Sequence, residues 1–583
     1  MIQVARSRAA SVGLRAPLAA CTRVASPAVI HDFDQDGLQT EESYDLVVVG
    51  SGPAGASVAA ELAGRGLRVC VLESGRPRRT AFADELKQVR EDGMHIKEYS
   101  RERVLGGAST TWAGLSSPLD DIDFEQRDWV PDSGWPIDRA ALEPHYRAAA
   151  DRYRFPGAEL FGANGFAKLR ADSALQPSWH SIEEKLFLAA EEPQDFGKEQ
   201  RAVFEGDDTD VYLDASVIEL VSEGGRVVVA SIRSSGGREA RIAARAFVLA
   251  TGGIENARLL LLSRGSSPAG LGNGRDQVGR RLMNHPKNYH GIVRLAQPVL
   301  ELPYYFGCLR DGYAGYAGLR LTEREQRDHS LLNSYVRLEP LFPWSDSEGV
   351  EAFVMIVKRF TFLLRAWKHR RRGQVVPLRD YAETGDDSDL QNARKGPLDW
   401  LRLAWWIVRD TRAVTAYIYH RVASRAQTPV RRVRLRNFME MQPDPDNRVT
   451  LAEDLDAFGR QLPFVRHAPS ELDRKSLIRL HEVLANELHA DGIGDLETHL
   501  DHADPWPIDQ DASHHLGTTR MGNDPETSVV DADLRVHDVP NLYCTGASVF
   551  PTSGCANPTF TIVALSIRLA EHLAAELGAE ARS

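Results

Sequence analysis

Residues 514–522 read HHLGTTRMG. Adjacent imidazoles stand before a segment of threonines, an arginine and two glycines. A neutral imidazole suits the task of taking a proton near neutral pH, because its unperturbed pKa is about 6.5. Further on, residues 554–559 read GCANPT and carry Asn557, whose amide can donate to an oxygen that gains negative charge. Taken alone, a histidine pair in such a stretch is a polar loop. Its meaning depends on what the rest of the chain binds.

The stretch YDLVVVGSGPAGASVAAELAGRGLRVCVLESG (Tyr44–Gly75) supplies the context. Leu46–Val49 is a continuous apolar run, the pattern of a parallel strand buried on both faces. Gly50, Gly52 and Gly55 then form G-x-G-x-x-G. The first allows a tight turn, the second admits a pyrophosphate to the backbone, and the third lets helix and strand pack closely. Helix formers follow through Leu62, Gly66 ends the helix, and Val69–Leu72 is a second strand. Glu73 closes it, where a carboxylate can accept from the ribose hydroxyls of an adenosine. This order of elements predicts a bound dinucleotide. The acid disfavours a 2′-phosphate, which argues against NADP and leaves NAD and FAD open.

Three further glycine turns bear on that choice. RERVLGGASTTWAG (Arg101–Gly114) clusters glycines with hydroxyls. ARAFVLATGGIENARLLLLS (Ala244–Ser263) reads as strand, turn and helix. NLYCTGASVFPTSGCANPTFTIVALSIRLAEHL (Asn541–Leu573) reads as short strand, turn and long helix. Helix starts at glycine turns are ready sites for phosphate or an electron-rich ring edge. Together with the opening unit they suggest a long cofactor threaded through the fold.

These segments together resemble the glucose–methanol–choline (GMC) family of flavin oxidoreductases, from about Tyr44 to about Leu573. The resemblance is carried by GSGPAG, LGGAST, VGRRLMNHP (Val278–Pro286), MQPDPDNRVTL (Met441–Leu451), HLGTTRMG and GCANPT. The last two look most like the sugar-oxidising branch that includes pyranose 2-oxidase and bacterial glycoside oxidases. The resemblance implies FAD and an α/β fold: a Rossmann-like, doubly wound FAD-binding domain with an inserted α+β substrate domain built on an antiparallel sheet. The cofactor contacts it implies are Gly50, Gly52, Pro53, Ala54, Gly55, Glu73, Gly106, Gly107, Ser109, Thr110, Val217, Gly546, Ala547, Asn557, Pro558 and Thr559. No metal is expected. Pyranose 2-oxidases carry a flavin-linking histidine in the second glycine turn; here that position is Thr111, so noncovalent FAD is expected.

The implied reaction is oxidation of an alcohol of a sugar, glycoside or polyol, with hydride passing to the flavin N5 and electrons then going to oxygen or another acceptor. A GMC dehydrogenase acting on a non-sugar alcohol or a lipid-linked substrate is the alternative. By alignment with the family pattern His515 is the base, and Asn557 orients the hydroxyl. His514 is read as structural or as a support for its neighbour, and His285 as a structural histidine ahead of a proline. Gly517 and Gly522 permit the turns that place His515. Arg520 either neutralises a carboxylate or positions the loop, Trp112 either walls the pocket or packs, and Cys555 fills a small buried space. A flavin monooxygenase or NAD-linked dehydrogenase would need neither His515 nor Asn557.

The chain's 583 residues exceed one compact core. A formal net charge of −12 argues against nucleic acid as the main partner. Five scattered cysteines, Cys21, Cys70, Cys308, Cys544 and Cys555, lack metal or redox spacing and suggest a reducing compartment, so a cytoplasmic location is expected. Residues 1–43 are expected to form a disordered leader, 44–285 the first part of the FAD-binding domain, 286–445 the substrate cap, and 446–583 the return to the substrate sheet and FAD domain. Within the cap, Phe353–Gly373 and Pro397–Arg425 read as aromatic, basic amphipathic helices flanking a polar loop. That pattern suits peripheral docking on an anionic membrane. A buried oligomer interface or a lid over the site would give the same pattern.

Overall fold

The computed structural model describes residues 30–39, 43–171, 173–300, 302, 304–305, 308–310, 313–357, 397–423, 428–508 and 514–580. Strand Tyr44–Val49 forms where the apolar run predicts it. Its residues Leu46, Val47 and Val48 are fully buried, because parallel neighbours flank it on both edges and helices cover its faces. It sits at the centre of an eight-stranded sheet. On one side follow Val69–Leu72, Thr209–Leu213 and Ile30–Asp32; on the other, Glu239–Leu249 and then the antiparallel pair Arg226–Arg233 and Ser216–Glu223. Leu542–Cys544 adds in parallel to Glu239–Leu249. Helix Pro53–Leu62 follows the central strand and packs on the C-terminal helix Thr559–Glu580. Sequence-distant segments thus complete one doubly wound layer.

The expected leader is too long by the sheet's edge strand. Ile30–Asp32 pairs in parallel with Val211–Leu213, and Phe33, fully buried, enters the main core. Its three residues are too few for a periodic signal, so pairing partners far along the chain decide its structure. The leader's residues 1–29, the expected loop at 381–396 and most of the helix expected at 353–373 lie outside the described residues.

A second eight-stranded sheet is antiparallel. Its path runs Cys308–Arg310, Tyr313–Leu321, Tyr335–Leu341, Val430–Phe438, Ile292–Val299 and Gly494–Glu497, with Lys287–Asn288 beside Val430–Phe438. Its eighth strand, Ile182–Ala190, pairs over its whole length with Tyr313–Leu321. The segment assigned to the FAD domain at 44–285 therefore includes a strand of the substrate sheet. Helix Glu471–Ala490 packs on this sheet, with Leu477, Leu480 and Leu484 fully buried against it.

A buried ion pair joins the halves. Arg127 donates to both carboxylate oxygens of Glu440 at 2.8 and 3.3 Å, and each side chain is at most 1% exposed. Among the described residues no helix is long and apolar enough to cross a membrane.

Candidate active site at the junction of the two sheets

A cavity of about 710 Å³ runs between the C-terminal edge of the parallel sheet and the face of the antiparallel sheet. That volume lies in the upper part of the range for ligand sites. Of the expected cofactor contacts, Gly50, Gly52, Pro53, Ala54, Glu73, Gly107, Ser109, Val217, Gly546, Ala547, Asn557, Pro558 and Thr559 line it. Gly55, Gly106 and Thr110 do not; they act on the turns behind the wall. A Cβ on Gly55 would stand 2.0 Å from the Gly50 carbonyl oxygen, so this glycine serves helix–strand packing. Thr110 Oγ1 donates back to the Gly107 carbonyl at 2.8 Å, and Gly106 takes φ +94°, a left-handed turn.

The two opening turns are tied together by Ser51. Its hydroxyl donates to Glu73 Oε2 at 2.7 Å and accepts from the Gly106 N–H at 3.1 Å. Glu73 also accepts from the backbone N–H groups of Ser51 and Gly75 at 3.1 and 2.8 Å. The carboxylate expected to face a ribose is thus anchored first by its own turn, and the serine that links the turns sits unremarked inside GSGPAG.

An arginine cluster also escaped the sequence reading. Glu255 stands in the first turn of helix Gly253–Leu262, bonded to Arg101, with Arg103 at 3.1 Å and Arg258 at 3.3 Å. Burial alone would raise its pKa, but Arg103, Arg258 and Arg101 outweigh that and hold it at about 2. Burial pushes Arg101 down to about 10, and its Nε is buried with no hydrogen-bond partner.

The HHLGTTRMG segment is pinned as a strand-like crossing. Leu516 bridges Met283, the N–H groups of Gly517, Thr519 and Met521 donate to the carbonyls of Ala547, Ser548 and Val549, and Gly517 has φ +86°. Arg520 donates to the carbonyls of Thr527 and Asp132 at 3.0 and 2.7 Å, contacts that tie the loop down. His514, His515 and Asn557 all line the cavity. They occupy different settings. His515 is 7% exposed, and its Nε2 is sealed with no hydrogen-bond partner; burial, with Arg101 and His467 nearby, lowers its pKa to about 3.

His514 is partly open, and its Nδ1 lies 2.8 Å from Nδ1 of His285. His285 Nε2 lies 2.9 Å from the Gly554 carbonyl oxygen. A carbonyl only accepts, so Nε2 of His285 carries the proton; burial keeps that ring neutral, with a pKa of about 4. Its Nδ1 must then accept, and His514 Nδ1 must donate. The assignment follows from the hydrogen-bond network. It leaves the lone pair of His514 on Nε2. Burial and the neighbouring His285 push the pKa of His514 well below the usual histidine range, so it too is neutral. His285 thus sets the tautomer of a cavity-lining imidazole.

Trp112 lines the cavity and donates to the Gln194 carbonyl at 2.7 Å. Cys555 is buried with its thiol pushed up to about 12, an inert filler at neutral pH. Among the described residues no cluster of three ligating side chains is placed to hold a metal ion.

The residues present fit a dinucleotide. The glycines leave the first turn open to the cavity, the nearest atom to a Cβ on Gly52 being 3.9 Å away. Sequence comparison names the ligand. Residues 443–566 match the GMC oxidoreductase model, and residues 45–267 match the FAD dependent oxidoreductase model. The chain carries a GMC oxidoreductase domain at residues 443–566 after an FAD dependent oxidoreductase domain. It is an FAD-binding oxidoreductase. It is 25% identical to the 6'''-hydroxyparomomycin C oxidase of Streptomyces lividus over 96% of this chain and 97% of that one. It is 26% identical to the fructose dehydrogenase large subunit of Gluconobacter japonicus, over 58% of this chain and 48% of that one. A shorter stretch, 12% of each chain, is 42% identical to the pyranose 2-oxidase of Tricholoma matsutake.

Proposed function

We propose that this oxidoreductase oxidises a hydroxyl group of a sugar, glycoside or related polyol. The names of the relatives support the substrate class, and the cavity supports the reaction. FAD, when bound, supplies the acceptor for a hydride. Gly52 and Gly107 would admit its pyrophosphate to the backbone, and Glu73 and Ser51 would hold the turn beside its ribose. The protein's part is to hold the carbinol and remove its proton.

The observation that carries this reading is the neutral, tautomer-fixed His514 on the cavity wall. Its Nε2 lone pair would take the hydroxyl proton, and the Asn557 amide would hold the oxygen. The base expected from the motif is His515. Its sealed Nε2 favours moving that role one residue back, with His515 serving the cofactor side. Thr111 supports noncovalent FAD: its hydroxyl donates to the carbonyls of Tyr99 and Ala108 at 3.0 and 3.2 Å, and threonine has no ring nitrogen for a flavin link. Acid precipitation should release all yellow colour to the supernatant.

The test is anaerobic bleaching of the flavin band by monosaccharides, glycosides, aminocyclitols and simple alcohols, followed by air. Bleaching by a sugar-like alcohol sustains the reading, and fast recolouring in air makes oxygen the acceptor. Bleaching only by NADH or NADPH overturns it.

A second reading, a lipid-linked substrate met at a membrane surface, is favoured by the exposed face of helix Pro397–Arg409. Leu401, Trp405 and Val408 are 67%, 58% and 71% exposed there, beside Arg402 and Arg409. Liposome flotation with anionic lipid tests it; no binding removes it.

A further inference from the structure

The turn that carries Gly554 and Asn557 is seated on a buried acid. Asp123, in the short helix Asp121–Phe124, is fully buried and grips this turn twice. Its backbone carbonyl accepts from Thr552 Oγ1 at 2.6 Å, and that hydroxyl accepts from Trp135 Nε1 at 2.9 Å. Its carboxylate lies where a side chain at 554 would begin: Oδ2, Cγ and Oδ1 would stand 2.5, 2.6 and 2.9 Å from a Cβ there. Gly554 also has φ +53°, so both its backbone and its neighbour require glycine. The carboxylate is held in turn by two amides. Asn333 Nδ2 donates to Oδ1 at 3.0 Å, and the Asp120 N–H donates to Oδ2 at 2.9 Å. The neighbouring acids have cations: Asp120 pairs with Lys185 and Arg320, and Glu440 with Arg127. Among the described residues no lysine or arginine lies within ion-pair distance of Asp123.

The contacts form one chain, from Asp123 to Gly554, from the Gly554 carbonyl to His285 Nε2, and from His285 Nδ1 to His514. From this we infer that Asp123 is a positioning residue for the proton transfer: it seats the Gly554 carbonyl against His285 and places a carboxylate beneath the imidazole pair. The inference rests on the alcohol-oxidation reading above. In that reaction the hydroxyl proton passes to Nε2 of His514 and the carbinol hydride to the flavin. The imidazole pair thereby gains a positive charge where burial disfavours one, and a nearby anion lowers that cost. Burial, Asp120 and Glu440 push Asp123 up to about 6, against Lys185 and Arg127. Arg320, Tyr146 and Cys555 face it as well. Its charge is therefore present above about pH 6 and lost below it, while His514 stays neutral over the same interval.

The experiment follows flavin reduction in the anaerobic holoenzyme by stopped flow between about pH 5 and pH 8. The reductant is the alcohol that bleaches the flavin fastest among monosaccharides, glycosides, aminocyclitols and simple alcohols. The limiting rate of the wild type should rise roughly tenfold or more through a midpoint of about 6. Asp123→Asn should lose this rise and stay roughly tenfold slow at neutral pH, with KM and the flavin band unchanged. Asn333→Ala keeps the acid but removes a donor to its charged form, so the midpoint should move up by roughly one unit. It is read in place of Asp123→Asn if that variant loses its flavin. A flat wild-type profile, or a rise that survives in Asp123→Asn, overturns the inference while the reaction class stands. If no alcohol bleaches the flavin and NADH does, the reaction class fails. Nitrogen-15 spectra of the histidines then decide the positioning role. His514 protonated at Nδ1 in the wild type and mixed between tautomers in Asp123→Ala sustains it, and any other pattern removes it.

Discussion

The Nδ1 atoms of His285 and His514 lie 2.8 Å apart, with their rings edge to face at 84°. Because Gly554 fixes the proton on the far side of His285, this contact has one direction, from His514 to His285. Replacing His514 by alanine should leave FAD bound and slow flavin reduction by roughly 10²–10⁴-fold in stopped flow. His515→Ala should act more on FAD affinity than on rate. The opposite ranking of the two variants would return the base to His515.

His285→Phe should keep the ring volume and lose the acceptor. His514 could then adopt either tautomer, so reduction should slow by roughly tenfold or more, with KM changed little. A rate equal to wild type would show that the contact does not set the tautomer.

The two glycines of the first turn should fail differently. Gly55→Ala places a Cβ 2.0 Å from the Gly50 carbonyl oxygen, so the opening unit cannot close, and expression of folded protein should be lost. Gly52→Ala meets nothing nearer than 3.9 Å. It should fold with an unchanged apoprotein Tm yet bind FAD roughly tenfold or more weakly, because the methyl group stands where a pyrophosphate would approach. Unchanged FAD affinity in this variant would place the pyrophosphate elsewhere.

Removing one partner of the Arg127–Glu440 pair should be costly. Arg127→Met leaves a buried carboxylate uncompensated and should destabilise the fold by about 3–5 kcal/mol. Adding Glu440→Leu should recover much of that loss. Denaturant titration of both variants measures it, and a single variant as stable as wild type would contradict the buried assignment.

Acid should weaken the fold well above the usual carboxylate range. Burial holds His285 and His467 at about 4, and His481 and His515 at about 3. Each binds its proton less readily folded than unfolded. Their neutral-state stability is present above about pH 6.5 and is lost as pH falls toward these folded values. Asp123 and Asp473, raised by burial to about 6 and 7, work in the opposite direction and offset part of the loss. The net expectation is a Tm that drops between pH 6.5 and 4 in the apoprotein. A flat Tm over that interval would show that the histidines are not buried neutral.

The opening βαβ unit, its three glycines and the paired histidines were legible because each is a local rule. A buried parallel strand needs an unbroken apolar run, a turn at a pyrophosphate needs glycine, and these constraints fall within about thirty residues of one another. What the chain alone did not specify is relational. Ile30–Asp32 is a strand only because Thr209–Leu213 offers it an edge, and Ile182–Ala190 joins the second sheet only because Tyr313–Leu321 lies beside it. Choosing between His514 and His515 required knowing that His285, more than two hundred residues earlier, and the Gly554 carbonyl converge on one imidazole. Local sequence determined the cofactor's cradle, because backbone sterics act over a few residues. Tertiary structure decided which imidazole on the cavity wall has its tautomer fixed, because hydrogen-bond direction is set between groups that only folding brings together.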